Sequence, residues 1–302
     1  MKFSPQSEAI LHGTHIGIVQ NMLDYDFLCG RSPSVRAVFS SQASGKQYKV
    51  FFGDKEIFIP TIHSWDQVDQ FPNVDTLINL ASFRSCTSVN KEAIASGKFD
   101  HIFTIAEWVA ERETRELIAL AEDKEVELFG PSIVWAMLTG IFRIGHTGGS
   151  LENILKSRLT TPGSVSIVTK SGGMMNELCR IVSQRTDGVH SAFQIWGDRF
   201  PMMSFMPIIE HFESDPDIKM IVLLGEVGNR IEVEIADMIT SGKITKPVVA
   251  RCIWESAEKM KTEVQFGHAW AKANSDEEKA SYKNTYLREA GAFVPDTFDR
   301  FG

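Results

Sequence analysis

The chain has 302 residues, 43% of them hydrophobic and 23% charged, which is the composition of a globular protein and argues against disorder. With 31 Lys and Arg against 39 Asp and Glu, the formal net charge is −8. Binding to nucleic acid or to an anionic membrane relies on a surplus of Lys and Arg, so this balance argues against both partners. The four cysteines form no CxxC pair, which excludes a zinc ribbon and a thioredoxin-type site.

No uncharged apolar stretch is long enough to cross a bilayer. The longest one, 128–142, is interrupted by Gly130 and Pro131. Residues 1–20 lack the basic segment and apolar core of a secretory signal. We therefore expect a cytoplasmic protein whose cysteines are reduced thiols.

The first half of the sequence alternates short apolar runs with amphipathic stretches, which predicts a parallel sheet covered by helices. In the first helix, apolar Ile16, Val19, Leu23 and Phe27 recur every three or four residues and should share one face. The predicted strands are Ala9–His12, Val35–Phe39, Thr76–Leu80, His101–Ile105 and Val126–Phe129, and the predicted helices include Ile16–Leu28 and Glu111–Glu122.

The alternation restarts after a polar segment, 148–163, that is punctuated by glycine and proline. This predicts two α/β domains in series, 1–150 and 151–302. The predicted strands of the second are Ser164–Val168, Ser191–Ile195, Met220–Leu224, Pro247–Ile253 and a short Ala292–Val294, and its helices are Met174–Gln184, Phe205–Glu213 and Ile231–Thr240.

A glycine loop, 12–17, follows the first strand and opens the first helix. In open parallel sheets ligands bind at the carboxyl ends of strands, where helix N-termini present N–H groups. However, Gly13 and Gly17 are spaced GxxxG rather than GxGxxG, and the second strand ends in Ser40 and Ser41 instead of the acidic residue that NAD recognition needs. The loop therefore argues against an NAD-dependent dehydrogenase and for another phosphate-bearing cofactor, with a turn that binds nothing as an equal alternative.

Loops of the second domain carry further candidates. A serine and two glycines at 171–173, between a strand and a helix, favour anion binding over a plain turn. Glu226, at a strand end between glycines, could orient a catalytic group, hold a metal or cap the next helix. A lone histidine such as His268 is more often structural than catalytic. Two candidate anion-binding helix starts in the same domain nevertheless strengthen the case for a catalytic role.

Short stretches spread along nearly the whole chain match the motifs of one family in order. They are Asn21–Asp26, Lys55–Ile57, Ile59-Pro60, Leu77–Ser82, Ile105–Glu107, Ile144–Gly149, Lys170–Gly173, Asn176-Glu177, Gly197–Arg199, Leu224–Glu226, Glu263–Ala269, Glu289–Gly291 and Val294-Pro295. The sequence resembles the α subunit of succinyl-CoA synthetase and, more closely, the matching region of ATP-citrate lyase and citryl-CoA synthetase.

The resemblance implies an N-terminal CoA-binding Rossmann-like domain and a C-terminal flavodoxin-like ligase domain, both with mostly parallel sheets. It implies a hetero-oligomer in which an ATP-grasp β-type subunit binds ATP with Mg²⁺ and phosphorylates His268. The phosphoryl group then moves to citrate or a similar acid, and CoA attacks the acyl phosphate. Imidazole suits this relay because it is nucleophilic near neutral pH, and helix N-termini stabilise the anionic phosphohistidine.

The resemblance also assigns site residues. Glu107 and Glu226 match family positions near the histidine, and holding its far ring nitrogen would set the tautomer. The positions for phosphate and acid are Ser171, Gly172, Gly173, Gly197 and Asp198, and those for CoA are Gly13, Thr14, Gly17, Arg31, Ser32, Ala81 and Ser82. The chain contains neither an ATP-grasp domain nor a citrate-synthase-like module. We therefore expect a partner or a missing segment to supply the first, and we do not expect this chain alone to cleave citryl-CoA.

Five of the six tryptophans stand where the family has glycine. A bulky residue there tolerates positive φ poorly and brings an indole of about 200 Å² into loops that should hold ligand. One hypothesis is an active acid–CoA ligase subunit with a reshaped acid site, which the retained histidine and carboxylates favour. The other is a non-catalytic paralogue, structural or regulatory, whose site the indoles plug. The tryptophans concerned are Trp108, Trp135, Trp196, Trp254 and Trp270.

Overall fold

The structure is a computed structural model that describes residues 3–40, 47–145, 151–195, 200–260 and 271–302. The chain divides into two compact units, Met1–Leu151 and Glu152–Gly302. Within the described ranges, no helix is both long enough and apolar enough to span a membrane.

The first unit is built on a seven-stranded sheet. Its strands are β1 (Glu8–His12), β2 (Val35–Phe39), β3 (Gln47–Phe52), β4 (Lys55–Ile62), β5 (Val74–Asn79), β6 (His101–Thr104) and β7 (Glu127–Phe129). They are ordered β3-β4-β2-β1-β5-β6-β7, and only β3 and β4 pair antiparallel. The chain moves from β1 outwards to one side and then resumes on the other at β5. This reversal is the Rossmann-type switch point, beside which ligands bind.

Helices and a hairpin complete the first unit. The central strand β1 is buried on both faces, which its run Ala9, Ile10 and Leu11 reflects. The helices are α1 (Ile16–Leu28), α2 (Cys86–Ser96) and α3 (Glu111–Lys124), a 3₁₀ turn covers Trp65–Gln70, and the antiparallel hairpin consists of β8 (Trp135–Leu138) and β9 (Phe142–Gly145).

The predicted apolar face of α1 is only half right. Val19 and Leu23 are buried, but Ile16 and Phe27 are 39% and 49% exposed. The helix is covered on a second side, where the Tyr25 hydroxyl accepts a hydrogen bond from the Gly140 N–H at 2.8 Å. The residues that α1 buries are therefore Ile18, Val19, Met22, Leu23, Tyr25 and Asp26.

The second unit has four parallel strands in the order β13-β12-β10-β11, where β10 is Val165–Thr169, β11 is Val189–Gln194, β12 is Met220–Glu226 and β13 is Val248–Ile253. Numbered within the unit, this is the 2-1-3-4 order of flavodoxin-like sheets. The helices are α4 (Leu151–Lys156), α5 (Gly172–Arg185), α6 (Phe205–Ser214), α7 (Ile231–Thr240) and α8 (Ala280–Glu289), with 3₁₀ turns at Glu255–Lys259, Asp276–Glu278 and Phe298–Arg300.

These observations confirm the predicted fold class of two α/β units with mostly parallel sheets. The predicted strands and helices occur, and each end differs by at most two residues, with one exception. The predicted final strand Ala292–Val294 is wrong, because only an isolated parallel bridge between Val249 and Phe293 forms there. Phe293 is exposed, so this segment lacks the two-sided burial that would extend the pairing.

Candidate active site

The turn after β1 forms one wall of a cleft at the carboxyl edge of the first sheet. Gly13 has φ +109°, and a Cβ there would lie 3.3 Å from the Cβ of Leu80, so the turn requires glycine. Its N–H donates to the Phe39 carbonyl at 3.1 Å, which ties the turn to the end of β2. The first N–H groups of a helix have no partner within the helix, so the start of α1 presents donors beside exposed Thr14 and Gly17.

A buried asparagine fixes the loop after β5, which forms the second wall. Asn79 accepts a hydrogen bond from the Ala81 N–H at 2.9 Å and donates to Oδ1 of Asn90 at 2.7 Å. Asn90 donates in turn to the Thr104 hydroxyl at 2.8 Å, at the end of β6. This satisfied chain of buried amides holds Ala81 and Ser82 at the rim. The role of Asn79 was not predicted from the sequence, where an amide at a strand end was its only signal.

The third wall follows β6 and carries Glu107. Its carboxylate accepts a hydrogen bond from the Ser132 hydroxyl at 2.8 Å, and the Ser132 N–H donates to the Ala106 carbonyl at 2.8 Å. Trp108 comes next with φ +65°, and 64% of its surface is exposed. The indole therefore stands at the edge of the cleft, with most of its surface in solvent.

The three walls enclose a cleft of about 430 Å³, within the range of small-molecule sites. It lies at the carboxyl ends of β1, β5 and β6, beside the switch point. Its lining is mostly apolar, with a few polar groups that could orient a ligand. The lining residues are His15, Ile18, Leu80, Ala81, Ser82, Phe83, Ile105, Ala106, Glu107, Trp108 and Val134.

Arg31 and Ser32 lie at the opposite, amino edge of this sheet. The Arg31 guanidinium pairs with Asp26 at 3.0 Å and donates to the Pro5 carbonyl at 3.0 Å. Both residues border a separate polar cleft of about 260 Å³ that includes Glu8, the first residue of β1. The structure therefore does not bring Arg31 and Ser32 together with the other residues predicted to bind CoA.

In the second unit, Ser171 and the two glycines form the start of α5. The Ser171 hydroxyl accepts a hydrogen bond from the Met174 N–H at 3.3 Å, so Ser171 is the N-cap. Gly172 is buried, and beyond the backbone of α5 itself no described residue has an atom within 4 Å of the position that a Cβ of Gly173 would take. With 14 residues, α5 is long enough for its dipole to favour an anion at this end.

Glu226 ends β12 and is buried above a network of charges. Its N–H donates to Glu232 at 3.2 Å, and the Glu232 carboxylate lies 2.7 Å from Nζ of both Lys170 and Lys283. Burial alone would raise the pKa of Glu232, but the two ammonium groups lower it to about 2. Burial lowers the pKa of Lys170, against the pull of the carboxylate. In the described part of the chain no three His, Cys, Asp or Glu side chains group as a metal site, and Glu226 as a metal ligand stays a prediction.

The tryptophans differ in their surroundings. Trp135 is 1% exposed and packs against Gly145 within its own hairpin, whereas Trp254 has φ +77° and precedes a 3₁₀ turn. Trp108 and Trp254 thus occupy left-handed backbone, which glycine adopts readily and bulky residues rarely do. The predicted residues His268, Gly197 and Asp198 lie outside the described residues, as do Trp196 and Trp270.

Comparison with known proteins shows which proteins this chain is similar to. Residues 168–293 match the family model of the CoA-ligases. Across 99% of its length the chain is 44% identical to ATP-citrate synthase of Mus musculus, and across 99% it is 42% identical to "Probable ATP-citrate synthase subunit 1" of Schizosaccharomyces pombe. Residues 168–293 are thus similar to a CoA-ligase domain, and the whole chain is similar to part of the ATP-citrate synthases. The chain spans 28% of the mouse protein and 49% of the S. pombe protein.

Solved structures of ATP citrate lyases are similar to this chain. ATP citrate lyase from Methanothrix soehngenii, in complex with citrate and coenzyme A, superimposes with a TM-score of 0.95 and 39% identity, covering 99% of this chain and 49% of that one. The Methanosaeta concilii enzyme in complex with (3S)-citryl-CoA matches equally well, with a TM-score of 0.95. The resemblance seen in the sequence is thereby confirmed.

Proposed function

We propose that this chain is the CoA-binding and histidine-carrying part of an ATP-dependent citrate–CoA ligase of the ATP-citrate lyase or citryl-CoA synthetase type. The observation that carries the proposal is its agreement in fold, over 99% of its length, with an ATP citrate lyase that holds citrate and coenzyme A. We assign CoA binding to residues 1–150 and the ligase chemistry to residues 151–302.

The cleft at the switch point is the proposed CoA site. Its position is where open α/β sheets bind nucleotides, and the start of α1 offers N–H donors to phosphate. The backbone at Gly13, Thr14 and Gly17 and the rim at Ala81 and Ser82 fit this role. We do not include Arg31 and Ser32, because they lie at the other edge of the sheet and Arg31 is already engaged by Asp26.

His268 is the proposed phosphoryl carrier. Its imidazole takes the γ-phosphoryl group of ATP and ADP leaves. A citrate carboxylate then takes the phosphoryl group and frees the imidazole, and the CoA thiolate attacks the acyl phosphate and releases inorganic phosphate. The capped start of α5 supports the proposal, since its dipole would stabilise the anionic phosphohistidine. We propose that Glu226 and Glu107 hold and orient the reacting groups, and that Gly197 and Asp198 contribute to the acid site.

The remaining components of the proposal come from outside this chain. We propose that an ATP-grasp β-type subunit binds ATP and Mg²⁺, and that this subunit forms a hetero-oligomer with the present chain. We also propose a cytoplasmic location, which the four free thiols Cys29, Cys86, Cys179 and Cys252 support.

The non-catalytic alternative is not favoured. The non-catalytic hypothesis includes a loss of CoA binding, but the cleft proposed for CoA is about 430 Å³ among the described residues, and Trp108 at its edge is largely exposed. Trp135 is buried within the β8–β9 hairpin and is absent from the lining of this cleft.

Calorimetric titration of CoA into the full chain tests the CoA site. We expect micromolar binding that Ser82→Tyr weakens at least tenfold, because the new ring enters the cleft. Ser32→Tyr is the matched control, since Ser32 is also an exposed serine but lies at the amino edge. Loss of binding in Ser32→Tyr together with normal binding in Ser82→Tyr would place CoA at the wrong edge for this proposal.

Phosphorylation of the histidine tests the ligase chemistry. With the ATP-grasp subunit and γ-labelled ATP, we expect acid-labile, base-stable phosphate on wild-type chain and none on His268→Asn. A partner that is competent with another α-type chain but leaves this one unlabelled would overturn the proposed function.

A further inference from the structure

Three fully buried charged side chains from three separate elements meet below Glu226. Lys170 follows β10, Glu232 lies in the first turn of α7 and Lys283 lies in α8. Their side chains are 1%, 0% and 0% exposed, and each lysine Nζ lies 2.7 Å from a carboxylate oxygen of Glu232. We call these three residues the charge triad.

The charge triad binds both backbone groups of Glu226. The Glu226 N–H donates to the Glu232 carboxylate at 3.2 Å, and the Glu226 carbonyl accepts from Lys283 at 2.8 Å. A peptide held on both sides by buried, mutually paired charges has little freedom to rotate. The direction in which the Glu226 side chain leaves the backbone is therefore set by the triad.

The same lysines hold the turn that follows. Lys283 donates to the Gly228 carbonyl at 2.6 Å, and Lys170 donates to Oδ1 of Asn229 at 2.8 Å. Gly228 and Asn229 both have positive φ, +91° and +46°. A residue other than glycine, such as Asn229, adopts this conformation only at an energetic cost, so contacts are needed to stabilise it. The triad thus fixes the residue at the end of β12 and the left-handed turn behind it.

A glycine makes room for this arrangement. A Cβ on Gly225 would lie 2.4 Å from Oε1 of Glu232, so only glycine allows the carboxylate to reach the Glu226 N–H. Charges buried in this way are costly, and apolar residues of similar volume are often at least as stable. Fold stability alone therefore does not explain why two lysines and a carboxylate converge on one peptide.

We propose that Lys283 is a positioning residue for Glu226: with Glu232 and Lys170 it clamps the Glu226 backbone and so aims its carboxylate. The inference rests on the proposed function, in which that carboxylate serves the phosphorylation of His268. Lys283 is buried against the carbonyls of Glu226 and Gly228 and pairs with the Glu232 carboxylate, so it acts on the Glu226 side chain through these groups.

The test compares two lysine-to-methionine variants in the complex with the ATP-grasp subunit. Lys283→Met removes the donor to Glu226 and Gly228 and keeps the volume. Lys246→Met is the control, because the Lys246 ammonium also donates to two backbone carbonyls, those of Phe212 and Asp215, far along the chain from the turn. Single-turnover phosphorylation of His268 is measured against pH, with the KM for ATP and the melting temperature.

We expect Lys283→Met to slow phosphorylation by about 10- to 100-fold with an unchanged KM for ATP, because a displaced catalytic group costs rate rather than ATP affinity. Its acidic limb of the pH–rate profile should also move, while Lys246→Met keeps the wild-type profile. If Lys283→Met does not fold, Asn229→Gly takes its place. This change removes the Asn229 side-chain oxygen that accepts from Lys170, while glycine still adopts the left-handed turn, and it should slow phosphorylation by about threefold.

The outcomes separate the two ideas. An unlabelled wild-type chain would overturn the proposed function and this inference with it. A labelled wild-type chain together with wild-type kinetics in Lys283→Met would overturn the inference alone, as would equal losses in Lys283→Met and Lys246→Met.

Discussion

Replacement of Gly225 by alanine perturbs the charge triad with a single methyl group. The new Cβ would lie 2.4 Å from Oε1 of Glu232 and 2.6 Å from its Cγ, about 1 Å inside ordinary contact. A flexible side chain would withdraw, but Glu232 is fully buried and held at 2.7 Å by Lys170 and by Lys283. The methyl group must therefore displace either the carboxylate or strand β12.

The cost follows from these contacts. Overpacking a well-filled core costs about 1–3 kcal/mol, and breaking a buried ion pair costs about 3–5 kcal/mol. We expect Gly225→Ala to lower the free energy of unfolding by about 3–5 kcal/mol, and the melting temperature by roughly 10 °C for a unit of this size. Urea denaturation followed by circular dichroism measures the first quantity, and a thermal scan measures the second.

Gly173→Ala is the matched control. Among the described residues outside α5, a Cβ at Gly173 meets no atom within 4 Å. Alanine is favoured over glycine in a helix by about 1 kcal/mol, so this variant should be as stable as wild type or slightly more so. In the Glu232→Ala background the Gly225→Ala change should cost little, because its obstacle is gone. A Gly225→Ala chain within 1 kcal/mol of wild type would show that Glu232 is not held as described.

Three further predictions concern the tryptophans, acid stability and the thiols. Trp108→Gly relieves about 1–2 kcal/mol of left-handed backbone strain but loses a partly buried indole, so its free energy of unfolding in urea should stay within about 1 kcal/mol of wild type. Trp135 is buried in a strand, so Trp135→Gly should lower the free energy of unfolding by at least about 3 kcal/mol. Equal effects of the two changes would contradict the two environments. Because the folded-state pKa of Glu232 is about 2, below its ordinary 4.5, its ionisation contributes about 3 kcal/mol to the free energy of unfolding above pH 4.5, and this contribution is lost as the pH falls towards 2. The free energy of unfolding of Glu232→Gln should lack this loss, and the same pH dependence in wild type and variant would refute the prediction. Burial raises the pKa of the Cys179 and Cys252 thiols, so a thiol reagent at pH 8 should modify them only after unfolding, and prompt native labelling would argue against their burial.

Element prediction succeeded where burial follows the secondary-structure period. Met220–Leu224 is apolar on both faces, as buried parallel strands are, and the sequence alone located it within the observed strand Met220–Glu226. The hairpin of β3 and β4 was missed because Phe51 and Phe58 point into solvent, which hides the alternation. Helix α2 was missed because it buries polar Thr87 and Asn90, so its apolar stripe is incomplete.

The sequence indicated which loops share an edge of the sheet, but it did not indicate the long-range contacts. Residues such as Ser82 and Glu107 follow strands directly, and parallel strands collect their carboxyl ends at one edge. Arg31 follows α1, the helix that begins at the glycine loop. Because α1 carries the chain back to the amino edge of the sheet, Arg31 lies away from that loop, and the sequence motif does not reveal this. The ion pairs of Glu232 with Lys170 and Lys283 join residues far apart in the sequence, and no local pattern predicts such pairs.

The peptide of Glu226 is anchored by side chains from two helices, α7 and α8, and α8 lies beyond the histidine-bearing segment in the sequence. A graft that exchanges only the β12 loop between ligases of different acid preference would separate this glutamate from its anchors. The transferable module is β12 together with α7, α8 and the lysine after β10, and chimeras cut inside that set should fold yet misalign their carboxylate.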